Sequence, residues 1–139
     1  MALLGKIDLK TLVLICVLAY VATLVFLYVA QRSMTYFPDS SFPVPSVYGL
    51  SETEELQVTT EDGLSLRGWY QPPSDPDKGV VIMFHGNAGH AGFRAFKAHP
   101  FLDEGYGFLL THYRGYGGSE GKPTEQGLYK DAEAYINYV

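Results

Sequence analysis

Three short stretches of this chain carry residue types that chemistry requires. His85, Gly86, Asn87, Ala88 and Gly89 set an imidazole among glycines that permit a tight turn and bring bare backbone N–H groups within reach of a ligand. Gly117, Gly118, Ser119, Glu120 and Gly121 spell GxSxG, the letter pattern of a nucleophilic serine. Arg114 offers a planar fork of donors, and His85, His90, His99 and His112 are candidate bases or ligands.

Each of these has a plainer reading beside the chemical one. A nucleophilic serine needs a sharp turn directly between a strand and a helix. Ser119 instead lies well beyond the apolar run 108–110, and Lys122 and Pro123 intervene before the next helix, so it is read as structural. No two histidines share the spacing of a metal set and no cysteine pair supports them, so neither metal nor cofactor is expected. His85, with Gly86, is read as ordering its turn through hydrogen bonds. Arg114 is read as tying loops together, the alternative being a grip on substrate. Gly86, Gly89 and Gly92 are spaced GxxGxxG rather than GxGxxG, and no Gly-Lys-Ser/Thr follows, which argues against a nucleotide.

The elements that must position these residues follow from the apolar pattern. Val80, Val81, Ile82, Met83 and Phe84 form a continuous run, the signature of a strand buried on both faces of a parallel sheet. Ligands bind at the carboxyl ends of such strands, where the His85 turn lies. A second run, 107–111, leads into the Arg114 and Ser119 segment, and helical sequence between the two makes a βαβ crossover. Residues 91–98 should form a short helix that ends before Pro100, with a further turn over 101–104 closed by Gly105. Upstream, Leu56 and Val58, then Leu64 and Leu66, alternate with polar residues around Glu61, Asp62 and Gly63, which predicts a hairpin. Downstream, Thr124 is the expected N-cap of a last helix with Leu128, Ala132, Tyr135, Ile136 and Val139 on its inner face.

The amino-terminal part is of a different kind. Residues 11–30 carry no charge, and at about 1.5 Å per residue such a helix spans roughly 30 Å, the thickness of a bilayer's hydrocarbon core. The run is too long for an ordinary cleaved signal peptide, the alternative reading, and is taken as a signal-anchor. Cys16 within it is a small apolar residue. Lys6 and Lys10 outweigh Arg32 across the run, which favours a cytoplasmic amino terminus, a single pass and an extracytoplasmic soluble part. Residues 33–53, with Pro38, Pro43 and Pro45, read as a connector between the anchor, residues 1–32, and a domain over 54–139.

The composition is globular, with 47% apolar and 18% charged residues. Residues 1–32 carry a net charge of +2 and the remainder −7, so the soluble part lacks the basic footprint that nucleic-acid binding needs.

Taken together, His85 through Gly89, Arg94, Gly105 with Tyr106, the run Tyr113 through Gly117, Ser119 and Gly121 resemble the N-terminal part of an α/β-hydrolase. The resemblance is closest to membrane-anchored, serine-aminopeptidase-like hydrolases and covers roughly residues 31–139. One position departs from the pattern: His112 stands where the family usually has Asp. The resemblance implies an α/β fold in which a hairpin is followed by βαβα, incomplete as a hydrolase sheet. It implies that Tyr36, Phe37 and Pro38 pack back on the domain. It also implies that the backbone N–H of Asn87, with that of Ala88, receives an oxyanion, and that serine, acid and base follow the last helix. No catalytic residue is therefore expected in this chain. On that reading the complete protein acts on acyl substrates, small molecules or peptides, at a lipid bilayer. The competing reading is a non-catalytic, membrane-tethered α/β binding module.

Overall fold

A computed structural model describes residues 8–139, in two compact units divided after Thr35. Lys6, one of the flanking charges, lies outside the described residues.

The first unit is the helix α1, Leu9–Thr35, of 27 residues. Asp8 precedes it and accepts the Thr11 N–H at 2.9 Å, satisfying one of the donors that a helix start leaves open. The helix is long and apolar enough to cross a bilayer. It runs five residues past the uncharged stretch because Gln31, Arg32, Ser33 and Met34 contain no breaker. It stops just before Phe37 and Pro38, where the residue ahead of proline is driven out of the helical region.

In the second unit, residues 36–139, a four-stranded mixed sheet has the spatial order Glu54–Thr59, Ser65–Gln71, Gly107–Thr111, Val80–Met83. The hairpin expected around Asp62 is β2, Glu54–Thr59, and β3, Ser65–Gln71, paired antiparallel with Val58 opposite Leu66. The strand β6, Gly107–Thr111, pairs antiparallel with β3 and parallel with β4, Val80–Met83. A separate pair of short strands, β1, Phe37–Pro38, and β5, Ala88–Gly89, runs parallel.

Alternation along the strands divides the core between the two faces of the sheet. Phe108 and Leu110 join Trp69, Leu50, Ala91, Ala95 and Ala98 on one side. Leu109 joins Leu66, Val58 and Tyr135 on the other. Burying a residue such as Leu109, fully enclosed, is worth about 1.5–3 kcal/mol. The strand β4 divides in the same way, Val81 and Met83 against Val80 and Ile82, but its residues are only half-buried. That differs from the expectation of burial on both faces. β4 lies at the edge of the sheet, with one neighbour among the described residues.

The crossover is a 3₁₀ helix, Ala91–Lys97, followed by α2, His99–Asp103, with Pro100 in its first turn. Ala91, Ala95 and Ala98 are small enough to let this segment lie close on Trp69 and Leu110. The last helix, α3, Glu125–Ile136, is capped by the Thr124 hydroxyl, which accepts the Gly127 N–H at 3.1 Å. Its inner stripe is Gly127, Asp131 and Tyr135; of the apolar set anticipated from hydropathy only Tyr135 is buried, Leu128 and Ala132 are half-buried, and Ile136 and Val139 are exposed. The helix is turned so that a charged side chain faces inward, and the reason lies in Arg114.

Candidate functional site

The two glycine-rich segments leave the carboxyl ends of the adjacent parallel strands β4 and β6, side by side. In the first, the His85 ring is nearly enclosed by Tyr113 and Tyr116, with ring centres at 5.0 and 4.8 Å. Its Nδ1–H donates to the Gly86 carbonyl at 2.6 Å, and its Nε2 accepts the Tyr113 N–H at 3.3 Å. Those two bonds define the neutral Nδ1–H tautomer. Burial first, then the Arg94 charge, pulls the His85 pKa below its ordinary value, which favours the same neutral form.

The next peptide is held more firmly. The Asn87 carbonyl accepts two hydrogen bonds, from the Phe37 N–H at 2.9 Å and the Tyr116 hydroxyl at 2.8 Å. The Gly89 carbonyl accepts the Asp39 N–H at 3.3 Å. Gly89 has φ 76°, and a Cβ there would meet the Phe93 ring at 2.8 Å, so glycine is required twice over. In a trans peptide the N–H points opposite to the C=O. Bonds on the Gly86 and Asn87 carbonyls therefore also set the directions of the Asn87 and Ala88 N–H groups. Gly86, Asn87 and Ala88 are themselves exposed. The arrangement can present fixed backbone donors at the sheet's carboxyl end.

The second segment is tied inward. Arg114 donates from Nε and its own backbone N–H to the two oxygens of Asp131, at 2.8 and 2.9 Å. It also donates from both terminal nitrogens to Asp62, at 2.9 and 3.1 Å. Hydrogen bonds from Arg114 hold the Asp62 carboxyl well below the usual carboxylate range, and the same bonds raise the guanidinium. Arg114 thereby joins the β2–β3 turn, the loop after β6 and α3. Gly127 leaves the room, since a Cβ there would lie 2.6 Å from a guanidinium nitrogen.

Ser119 is buried, donates to the His112 carbonyl at 3.1 Å and accepts the Arg67 N–H at 2.9 Å. No helix begins until Glu125, so this GxSxG has neither the strand-to-helix turn nor a hydroxyl aimed outward. The Tyr135 hydroxyl accepts the His112 N–H and lies 2.8 Å from the His112 carbonyl. The His112 ring is fully buried against Trp69 and the Gly117 backbone, and neither ring nitrogen has a hydrogen-bond partner. Burial, with smaller contributions from His85 and His90, lowers its pKa to about 3. His90 stacks on Phe93 at 4.1 Å, and His99 is exposed on α2. Among the described residues no three His, Cys, Asp or Glu side chains gather as a metal site.

The chain is 40% identical over 129 residues to the uncharacterized protein Rv2307c of Mycobacterium tuberculosis, covering 90% of this chain and 46% of that protein. Over 126 residues it is 27% identical to the alpha/beta hydrolase domain-containing protein WAV2 of Arabidopsis thaliana, covering 86% of this chain and 41% of that one. Among solved structures, the esterase Pf2001 of Pyrococcus furiosus superposes with a TM-score of 0.57 at 27% identity, over 75% of this chain and 41% of the esterase. The chain belongs to the α/β-hydrolase superfamily. It spans about half the length of the relatives it matches, and so part of the hydrolase fold. No family model matches.

Within that superfamily fold, the structure brings His85, Gly86, Asn87 and Ala88 together with Tyr116 and residues 37–39, and leaves Arg114 and Ser119 turned into the scaffold. Tyr116 and Phe37 were not among the site residues anticipated from sequence. Tyr116 stood inside the Tyr113–Gly117 motif, but nothing in its spacing says that its hydroxyl reaches a carbonyl 29 residues away.

Proposed function

We propose that this chain is the N-terminal portion of a membrane-anchored hydrolase of ester, amide or thioester bonds, whose oxyanion is received by the backbone N–H groups of Asn87 and Ala88. The observation that carries the reading is the pair of pinned carbonyls, Gly86 and Asn87, which fixes the directions of the two following N–H groups in an exposed turn after β4. Fixed donors of this kind stabilise the charge that develops on a carbonyl oxygen under attack. In the complete protein a serine nucleophile and its base, from the part beyond residue 139, would form and resolve the acyl intermediate. Alone, this chain polarises a carbonyl but does not complete acyl transfer. The similarity to an esterase of known structure and the coverage of about half of each relative support that division. The apolar α1 serves as the anchor, with a cytoplasmic amino terminus.

The test is to express the chain together with its downstream coding sequence and treat membranes with a fluorophosphonate probe. The expected result is one labelled serine outside this chain, with labelling retained after Ser119→Ala and protein retained in the pellet after carbonate extraction. Labelling lost on Ser119→Ala, or no labelled serine and no turnover of p-nitrophenyl esters, would reject the reading.

A further inference from the structure

We infer that residues 37–39 and Tyr116 act as a clamp that sets the direction of the Ala88 N–H, so that the segment leading out of α1 is a positioning part of the site. The inference rests on the oxyanion role proposed for Ala88.

A carbonyl can accept two hydrogen bonds, and the Asn87 carbonyl accepts both, from Phe37 and from Tyr116. These donors come from opposite sides in the chain, one upstream of the sheet and one from the loop after β6. With two donors the carbonyl cannot swing about the loop axis without breaking one of them. No peptide bond among the described residues is cis, so the Ala88 N–H is antiparallel to that carbonyl and points away from the clamp. The register agrees. Phe37 lies opposite Ala88, and in a parallel pair the residue opposite directs its own N–H and C=O away from that partner.

Proline at position 38 fits the same scheme. The two donors to the loop are Phe37 and Asp39, alternate residues, and Pro38 occupies the position between them. The ladder therefore needs no N–H from it, while its ring stiffens the strap. The strap is closed on its other side as well, because the Asp39 carbonyl accepts the Gly117 N–H at 2.8 Å. Residues 37–39, 87–89 and 116–117 thus form a ring of main-chain bonds with one tyrosine hydroxyl across it. Phe37 follows the last residue of α1 by two positions in the chain.

The experiment uses the full chain, isotope-labelled, in detergent micelles, with Leu109 in the central strand as the internal reference. In the parent the Ala88 N–H should be as ordered as rigid backbone, with an order parameter of about 0.85. Tyr116→Phe removes one hydroxyl and should speed amide exchange at Phe37 about fivefold, the equivalent of one net hydrogen bond. Adding Phe37→Pro should drop the Ala88 order parameter below about 0.6 while Leu109 is unchanged. An Ala88 already mobile in the parent, or unchanged in the double variant, overturns the clamp. Equal loosening at Leu109 overturns it too, because the effect would then be global. In the complete polypeptide Tyr116→Phe alone should lower kcat about tenfold with KM within twofold, as expected for a donor misaimed at the transition state. An unchanged kcat removes the positioning role. A complete polypeptide with no ester turnover at all defeats the hydrolase reading instead, and leaves the order parameters to judge the clamp.

Discussion

The loops after β4 and β6 have similar composition and leave the same end of the sheet, yet they are held in opposite ways. The loop after β4 is fixed chiefly through its carbonyls, by donors from elsewhere in the chain, and Gly86, Asn87 and Ala88 remain at the surface. The loop after β6 is fixed through its side chains, which are buried: Arg114 on two carboxylates, Ser119 on two backbone groups, Tyr116 on its neighbour loop. The lesson is one of division of labour. A loop whose carbonyls are occupied can turn its N–H groups outward, whereas a loop whose side chains are spent on the interior can only brace. The letter pattern GxSxG falls in the bracing loop, and the candidate oxyanion donors fall in the other.

That contrast can be broken most severely at Asp131. Asp131→Ala leaves the Arg114 guanidinium buried with half of its partners gone, and should cost about 3–5 kcal/mol of unfolding free energy. Chemical denaturation followed by the fluorescence of Trp69, the single tryptophan and fully buried, measures it. A loss under about 1 kcal/mol would mean that the Arg114 network does not carry the loop. Gly127→Ala tests the same network from the steric side. Alanine is the better helix former by about 1 kcal/mol, yet its Cβ would collide with the guanidinium, so a net loss of about 1–3 kcal/mol is expected. A gain in stability would show that the guanidinium has room to move.

Acid should weaken both loops by a different route. His112 is neutral in the folded state down to about pH 3, while in the unfolded chain it protonates near pH 6.5. Its folded pKa is depressed, so the unfolded state binds the extra proton, and stability is lost as pH falls from about 6.5 toward 3. The slope from this group approaches about 1.4 kcal/mol per pH unit. Burial lowers His85 as well, which steepens the loss in the same direction. Denaturation midpoints at pH 7, 6, 5 and 4 give the slope, and His112→Phe should flatten it; a slope unchanged by that substitution would remove His112 as the cause. Ser119→Ala should cost only about 1 kcal/mol, the worth of its backbone bonds, and Ala88→Ser on the exposed loop less than about 0.5 kcal/mol. Comparable losses at these two positions would erase the distinction between bracing and presenting loops.

Much of the architecture could be read directly because it is set by local rules. Asp62 and Gly63 between alternating runs specify a hairpin, Thr124 caps its helix, and Pro100 divides the crossover helix. The inner stripe of α3 could not be read this way. Hydropathy favours Leu128 and Ile136 over Asp131, and only the presence of Arg114 across the gap reverses that choice.

The amino-acid order by itself determined the kind and order of the main strands and helices, that residues 11–30 are apolar all round, and that two glycine-rich turns follow parallel strands. These depend on backbone propensity and periodicity within a few residues. Tertiary structure alone decided that Phe37 in the strap lies opposite Ala88, and which donors hold the Gly86, Asn87 and Gly89 carbonyls. Hydrogen bonds of that kind join atoms by distance and angle, with no regular spacing in the chain to reveal them. The Ala88 N–H owes its direction to Phe37 and Tyr116, which are neighbours of Asn87 only once the chain has folded.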